Sequence, residues 1–593
     1  MEPMRKQCKK NLMPAACVDK SLMRGVFLVA SLLIAFPPLT ALGCSGLKPY
    51  QKQILKMPPV PAPEARFRFD APPRMQFSAD EQLEQRARGK ELLSRVRAAF
   101  DADSPSVQIP PGHYRFASAA EQGGKAEYAV LFENLQRHEN NPFVIEATGV
   151  TLWFDLPNHQ APPGHRCLGF RRCRNIVLRG ATLARTTPGQ VEGRITRIDA
   201  EGNRLEIALS PGVSVPKTFH GSDEQRILPF KADGRFCAPL YDLQPGIRKL
   251  RYNSITPSTD GRYWVQLRDP ELIARIQDAE WKKQWGELGT LSVGDGLCCL
   301  YVTGSAITLE HSANLTMHGL SVYVDKGGPV EMGGDGAHLW KDCYFGPQPG
   351  TSQWKGADGF LSRSLRHGST FDNVTIRHTA DDLANFHGVW GKVQSVTGTV
   401  VTFERNASLR PTLANARAGD RLRFIHRKTG VFLGEAKLVS LKEFTVTIDR
   451  DAMPFAEGQA SWPEDECAGW TVQNCHWEDS FQRILIMSGP GTIRGNKFSR
   501  WGSGIVLNTG MGLVGGIPNG ITIEKNTFTH IAPRPHASAI EARAHNALGH
   551  DGVPAIVGLT IANNTFLHCG GPEPKLIGTK NPHIVNNHYE SNK

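Results

Sequence analysis

Thr471-Val472-Gln473-Asn474-Cys475-His476-Trp477 recurs as Thr492-Ile493-Arg494-Gly495-Asn496-Lys497-Phe498, then as Thr522-Ile523-Glu524-Lys525-Asn526-Thr527-Phe528 and Thr560-Ile561-Ala562-Asn563-Asn564-Thr565-Phe566. A looser copy, Ile584-Val585-Asn586-Asn587-His588-Tyr589, closes the series. Matched positions lie 21, 30, 38 and 23 residues apart, as in coils that keep their strands and vary their loops. Each unit is too short to bury its own inner face, so neighbouring coils must cover it above and below. The pattern predicts an all-β chain, a right-handed parallel β-helix in which bend asparagines ladder along the stack and β-branched and aromatic side chains fill the interior. A leucine-rich solenoid needs a leucine-plus-helix segment in every repeat, and none is present. Upstream, Ile176-Val177-Leu178, Leu315-Thr316-Met317 and Val374-Thr375-Ile376 carry the same β-branched run.

Outward from the repeat, the chain divides into seven stretches. In residues 1–43, the apolar run Gly25 to Leu42 follows Arg5, Lys6, Lys9, Lys10, Lys20 and Arg24 and reads as a signal peptide for export. Ala41-Leu42-Gly43-Cys44 resembles the lipobox of bacterial lipoproteins, with Cys44 as the lipidated first residue and 44–76 as a proline-rich tether. This places the protein in the periplasm or on the bacterial outer membrane or cell surface, touching membrane only through the anchor. In 77–188, Ser78-x-x-Glu81 opens a helix whose face of Leu83, Leu92, Leu93, Val96 and Phe100 is suited to cap the first coils. Residues 189–293 and 389–463 break the repeat, and both open with alternating hairpins that predict small inserted antiparallel β-barrels. Coils then occupy 294–388 and 464–593.

Composition narrows the partners. Of the formal charge of +11, residues 1–43 carry six basic and two acidic side chains, leaving a modest +7 spread over the rest. Basic residues are scattered and no nucleic-acid-binding motif appears, which excludes that class. Nine of the twelve cysteines lie beyond Cys44, an odd number without a CxxC pair, which argues against a zinc site or a regular disulfide framework.

The chemistry concentrates in two segments one coil apart, Gly356-Ala357-Asp358-Gly359 and Ala380-Asp381-Asp382-Leu383-Ala384-Asn385-Phe386-His387-Gly388. Parallel strands stack about 4.8 Å apart, so Asp358 and one of Asp381 and Asp382 should share a surface. Glycoside hydrolysis needs this pairing of one carboxylic acid with one carboxylate. Around them, His387, Asn385, Trp354, Arg363 and Glu331 are candidate substrate-binding residues. No metal and no cofactor is implied.

Ala357-Asp358, the Asp381-Asp382-x-x-Asn385-x-His387-Gly388 run, the lead-in helix and the two insertions together resemble glycoside hydrolase family 110, bacterial exo-acting enzymes on terminal α-1,3-linked galactose. The likeness spans most of residues 105 to 590. It implies inversion of configuration, Asp358 as general acid and Asp381 or Asp382 as base. One stretch departs from it: family members carry acidic and aromatic residues near the sugar after the strand matching Gly504 to Leu507, whereas Thr509 to Gly520 is nearly all glycine and apolar. Glu331, Glu541 and His545 are candidates to replace those contacts. Two other readings fit the same residues, a polysaccharide lyase and a non-catalytic glycan-binding β-helix. The oligomeric state is not legible. The lipobox predicts that the mature chain starts at an acylated Cys44, which intact-mass measurement on membrane-extracted protein tests; an unmodified N-terminus further downstream refutes it.

Overall fold

The computed structural model describes residues 46–590 apart from 64–75, 118–127, 156–165, 187–189, 216–225, 238–249, 269–272, 275–277, 301–304, 324–326, 350, 352–355, 464–465, 511–513, 533–537, 545–555 and 572. Its body is a right-handed parallel β-helix in which every turn visits three sheets in succession. The first sheet runs from Ser106–Gln108 to His583–Val585, the second from Gly112–Phe116 to His588–Glu590 and the third from Tyr128–Glu133 to Lys575–Ile577. One continuous hydrophobic core fills the coil from Val107 to Phe566.

The repeats stack in the register that their sequence match implies. Thr471, Thr492, Thr522 and Thr560 pair in the first sheet, and Trp477, Phe498, Phe528, Phe566 and Tyr589 pair in the second. Phe528, Phe566 and Tyr589 stack with ring centroids 4.8 Å apart, so the rings follow the strand spacing. At the bend between these sheets Asn496 Nδ2 donates to Asn526 Oδ1 at 2.9 Å, Asn526 to Asn564 at 2.9 Å, and Asn564 to Asn587 at 3.0 Å. Each of these acceptor oxygens also takes the backbone N–H of the asparagine below, satisfying buried groups at a turn that has no ladder of its own. One sequence match shifts. Thr370-Phe371-Asp372, not the run at Val374, is the partner of Thr471-Val472-Gln473, because Phe371 takes the interior position that Val472, Ile493, Ile523 and Ile561 hold in the coils that follow.

The N-terminal edge is covered by the helix Ala79–Asp101. Ser78 and Glu81 exchange the two hydrogen bonds of a capping box, and Leu92 and Val96 enter the core of the first coils. Leu83, expected on that face, points to solvent. The expected tether also differs, since Pro49–Leu55 is a helix lying against the first sheet. Leu47 and Ile54 pack on Val177 and Leu339, and Gln51 Nε2 donates to the Ala337 carbonyl at 3.1 Å. Its apolar spacing gives this segment a face to bury, which a proline-rich tether lacks. Cys44 and the expected signal peptide lie outside the described residues. No helix among the described residues is long and apolar enough to cross a membrane.

The two insertions leave from different corners. The first departs after the second-sheet strand Thr182–Arg185 and rejoins at the third-sheet strand Ile307–Glu310. It is a six-stranded antiparallel half-barrel whose edge strands, Ile227–Phe230 and Tyr252–Pro257, meet at their starts through a bridge between Arg226 and Arg251, and it runs on to Gly296–Leu300, past the expected boundary at 293. The second departs after the third-sheet strand Ala384–Val389 and is a closed six-stranded barrel from Gly391–Thr397 to Gly458–Ser461. Among the described residues the nine cysteines form no disulfide, and all are buried except the half-buried Cys569.

Because Asn526 both accepts and donates along the ladder while 1% exposed, Asn526→Ala should cost about 3 kcal/mol through stranded polar groups. Denaturant unfolding measures this; a change within about 0.5 kcal/mol, the range of ordinary surface substitutions, refutes a structural role for the ladder.

Candidate active site at a corner of the solenoid

Asp358 lies between the strands Tyr344–Phe345 and Leu361–Arg363, and Asp381 and Asp382 lie between Thr375–Thr379 and Ala384–Val389. Both are turns from the second sheet to the third, the corner from which the first insertion departs. Leu361 pairs with Asn385, which sets Asp358 over Asp382, and the Gly359 N–H donates to the Asp382 carbonyl at 2.8 Å. Successive corners approach closely here. A Cβ on Gly328 would lie 1.6 Å from the Gly359 carbonyl oxygen, and one on Gly359 would lie 2.6 Å from that of Leu383. Only glycine permits that contact.

The strand carrying the pair ends at Thr379, so the alternation expected of a continuing strand does not apply to Asp381 and Asp382. Four residues join Thr379 to Ala384, against three joining Ser480 to Ile484 in the next coil. With this longer corner both side chains meet Asp358, and one carboxylate oxygen from each of the three lies within 4.8 Å of the others. Asp381 Oδ2 accepts from Arg226 Nη1 at 3.1 Å and its Oδ1 from Gln482 Nε2 at 2.6 Å. Arg483 Nε stands 3.3 Å from Asp382 Oδ1, and Asp382 is the most buried of the three acids. The three oxygens form a donor set for a hard divalent cation, and the two guanidiniums already offset part of the acids' charge.

Three of these partners escaped the sequence reading. Gln482 and Arg483 occupy the same corner one coil later and follow from the pairing of Ala384 with Ile484. Arg226 belongs to the first insertion, where no repeat relates it to the coils.

The other expected contacts separate. Glu331, read as a substrate contact, lies inside the coil and is fully buried. It accepts from Trp340 Nε1 at 2.8 Å and from the hydroxyls of Ser362 and Ser369 at 2.8 and 2.7 Å, and burial pushes its carboxyl up to about 7. The alternation of its strand sends Glu331 inward beside Leu309 and Ser362. His387, expected on a sugar hydroxyl, is sealed: its Nδ1–H donates to the Gly388 carbonyl at 2.6 Å, and burial lowers the imidazole to about 4. Arg363 sits beside His387 in the same column, half-buried, with Nη2 2.8 Å from the sulfur of Met332. Asn385 stays partly exposed on the outer face of the third sheet, three residues beyond Asp382, and its Oδ1 accepts no hydrogen bond. Glu541 pairs with Arg543 at 2.6 Å. Trp354 and His545 lie outside the described residues.

The glycine-rich stretch after Leu507 has a packing cause. Val514–Gly515 adds antiparallel to Gly388–Val389, and a Cβ on Gly515 would fall 1.5 Å from Trp390 Nε1. The segment lies flat against Gly388, Trp390 and Met487, where larger side chains have no room.

No family model matches the chain, and no curated protein does. Among solved structures, the A-module of a mannuronan C-5 epimerase from Azotobacter vinelandii matches with 10% identity and a TM-score of 0.36, over 85% of this chain and 95% of its own. A family 28 exopolygalacturonase from Yersinia enterocolitica matches with 11% identity and a TM-score of 0.30, over 83% and 74%. An exopolygalacturonase from Thermotoga maritima matches with 8% identity and a TM-score of 0.25, over 84% and 96%.

Glu331 gives a prediction with a defined sign. Its folded pKa of about 7 lies above the ordinary 4.5, so its contribution is complete below about pH 4.5 and is lost as pH rises through 7. Glu331→Gln should remove that dependence, gaining on the wild type by about 3 kcal/mol between pH 4 and pH 8 in denaturant unfolding; parallel pH curves for the two proteins refute it.

Proposed function

We propose that this protein is an exported glycoside hydrolase, anchored as a lipoprotein, that removes a terminal α-linked galactose or a related sugar from a glycan. The observation that carries the reading is the meeting of Asp358, Asp381 and Asp382 at one corner, with an oxygen from each within 4.8 Å of the others. Cleavage of a glycosidic bond needs a proton for the leaving oxygen and a carboxylate for the nucleophile, and three acids from two adjacent coils supply both. In this reading Asp358 is the acid, a member of the Asp381-Asp382 pair is the base, and the partly exposed Asn385 lies beside them as a sugar contact.

Inversion follows the family resemblance. It uses carboxyl groups about 6.5 to 9.5 Å apart, with room for water, and retention about 5 to 5.5 Å; oxygens of the three acids meet within 4.8 Å, short of the inverting span, so inversion rests on the resemblance alone. The anomer first released distinguishes them, and proton NMR during the first minutes reads it directly.

The test is incubation of the protein with α-galactosides, sulfated galactans and uronic-acid glycans while following sugar release and ultraviolet absorbance. Monosaccharide release without absorbance is expected, and Asp358→Asn should lower it at least 10³-fold with unchanged unfolding behaviour, the order of loss on removing a general acid. Absorbing product marks a lyase, and binding without product marks a lectin-like solenoid; either result, or a fully active Asp358→Asn, overturns the reading.

A further inference from the structure

Among the described contacts of the carboxylates, that of Arg226 comes from outside the solenoid, and its contacts join two separate turns. Nη1 lies 3.1 Å from Asp381 Oδ2, 3.3 Å from the Ala380 carbonyl and 3.3 Å from the Gly356 carbonyl. Gly356 begins the turn that carries Asp358, and Ala380 begins the turn that carries Asp381. One guanidinium therefore holds both acid-bearing turns, and its side chain is only 13% exposed, so water competes weakly for those acceptors.

A second, apolar observation concerns the same place. Ala380 and Phe481, which precede Asp381 and Gln482 in successive coils, belong to the hydrophobic core of the first insertion rather than to that of the solenoid. Phe236 of the insertion meets Phe481 edge to face at 6.4 Å. The insertion is thus seated on the two corners that flank the pair, and this seating fixes where Arg226 enters. Arg226 itself pairs across a bridge with Arg251 at the start of the strand Ile227–Phe230, which anchors the backbone that carries it.

We propose that Arg226 is a positioning residue: from the first insertion it ties the Gly356–Asp358 turn to the Ala380–Asp382 turn and fixes Asp381 in its working orientation, making the insertion a structural part of the active centre. This rests on the hydrolase reading for its kinetic consequence and on the contacts alone for its structural one. Lysine ends one group short of the guanidinium, in a flexible ammonium that does not reproduce its reach or fixed orientation, whereas a free guanidinium ion can refill the space left by a truncated side chain.

The experiment uses the full chain with Arg226→Ala, Arg226→Lys and, as a control in the same insertion, Arg235→Gln, whose guanidinium pairs with Asp233 and Glu287 away from the acids. Arg226→Ala should lower kcat about 10²-fold with KM changed less than about 3-fold, the scale of a misplacement near 1 Å. Added guanidinium chloride, at concentrations too low to unfold the protein, should restore at least 10-fold. Arg226→Lys should recover little and Arg235→Gln should match the wild type. Hydrogen exchange supplies a readout that needs no substrate: peptides covering 356–360 and 379–383 should exchange faster in Arg226→Ala while those of the first sheet do not. Faster exchange at those turns in a protein that cleaves no glycan upholds the clamp and sinks the hydrolase reading instead. Unchanged exchange, or a kcat loss that guanidinium does not rescue, overturns the proposal.

Discussion

Successive coils can sit only one strand spacing apart, about 4.8 Å, and in a single register; the rest of this molecule follows from that constraint. It lines the repeated threonines, β-branched residues and aromatic rings into columns, and it brings each bend asparagine within reach of the next. The same spacing at the corner between the second and third sheets leaves no room for a side chain at Gly328 or Gly359. Asp358, beside Gly359, is thereby brought onto Asp382 of the next coil, whose carbonyl takes the Gly359 N–H. The proposed chemistry is thus a by-product of a packing rule, sharpened by one additional residue in the turn after Thr379.

The insertions add what stacked coils cannot provide. The first is seated over the acid-bearing corners through Ala380 and Phe481 and brings a guanidinium into the carboxylate cluster. The second leaves from the opposite edge of the third sheet, and its short helix Arg410–Asn415 reaches back to that edge, where Thr412 and Ser364 share a hydrogen bond. Val514–Gly515 pairs with Gly388–Val389 and covers that end of the third-sheet strand. Asn385, nearer the acids along the same strand, stays partly exposed.

What was legible in the sequence is what repetition encodes. The β-helix, its register over the last five coils and the meeting of Asp358 with the pair all reduce to counting residues between like positions. Counting failed where a coil substitutes a residue of another class, as Phe371 does for a β-branched one, which moved the apparent match to Val374. It gave no access to facing either: Glu331 reads as a loose acid near a site until strand alternation turns it inward to Trp340 and Ser369. The helix at Pro49–Leu55 hid behind the prolines that follow it, and Arg226 had no repeat to locate it. How fully a run of hairpins closes on itself was equally out of reach, since the full closure of the second insertion and the half-closure of the first depend on strand tilt and stagger.

The clamp between Arg226 and Asp381 spans 155 residues, whereas most contacts of the solenoid join segments about one coil apart in sequence. Coils add to a growing stack by nearest-neighbour steps, but a contact across 155 residues must await both a folded insertion and the coils it lands on. The scaffold and its acid cluster therefore mature on different schedules during folding. A chain interrupted between these stages is a well-formed solenoid in which the three acids have stacked and the arginine has yet to arrive.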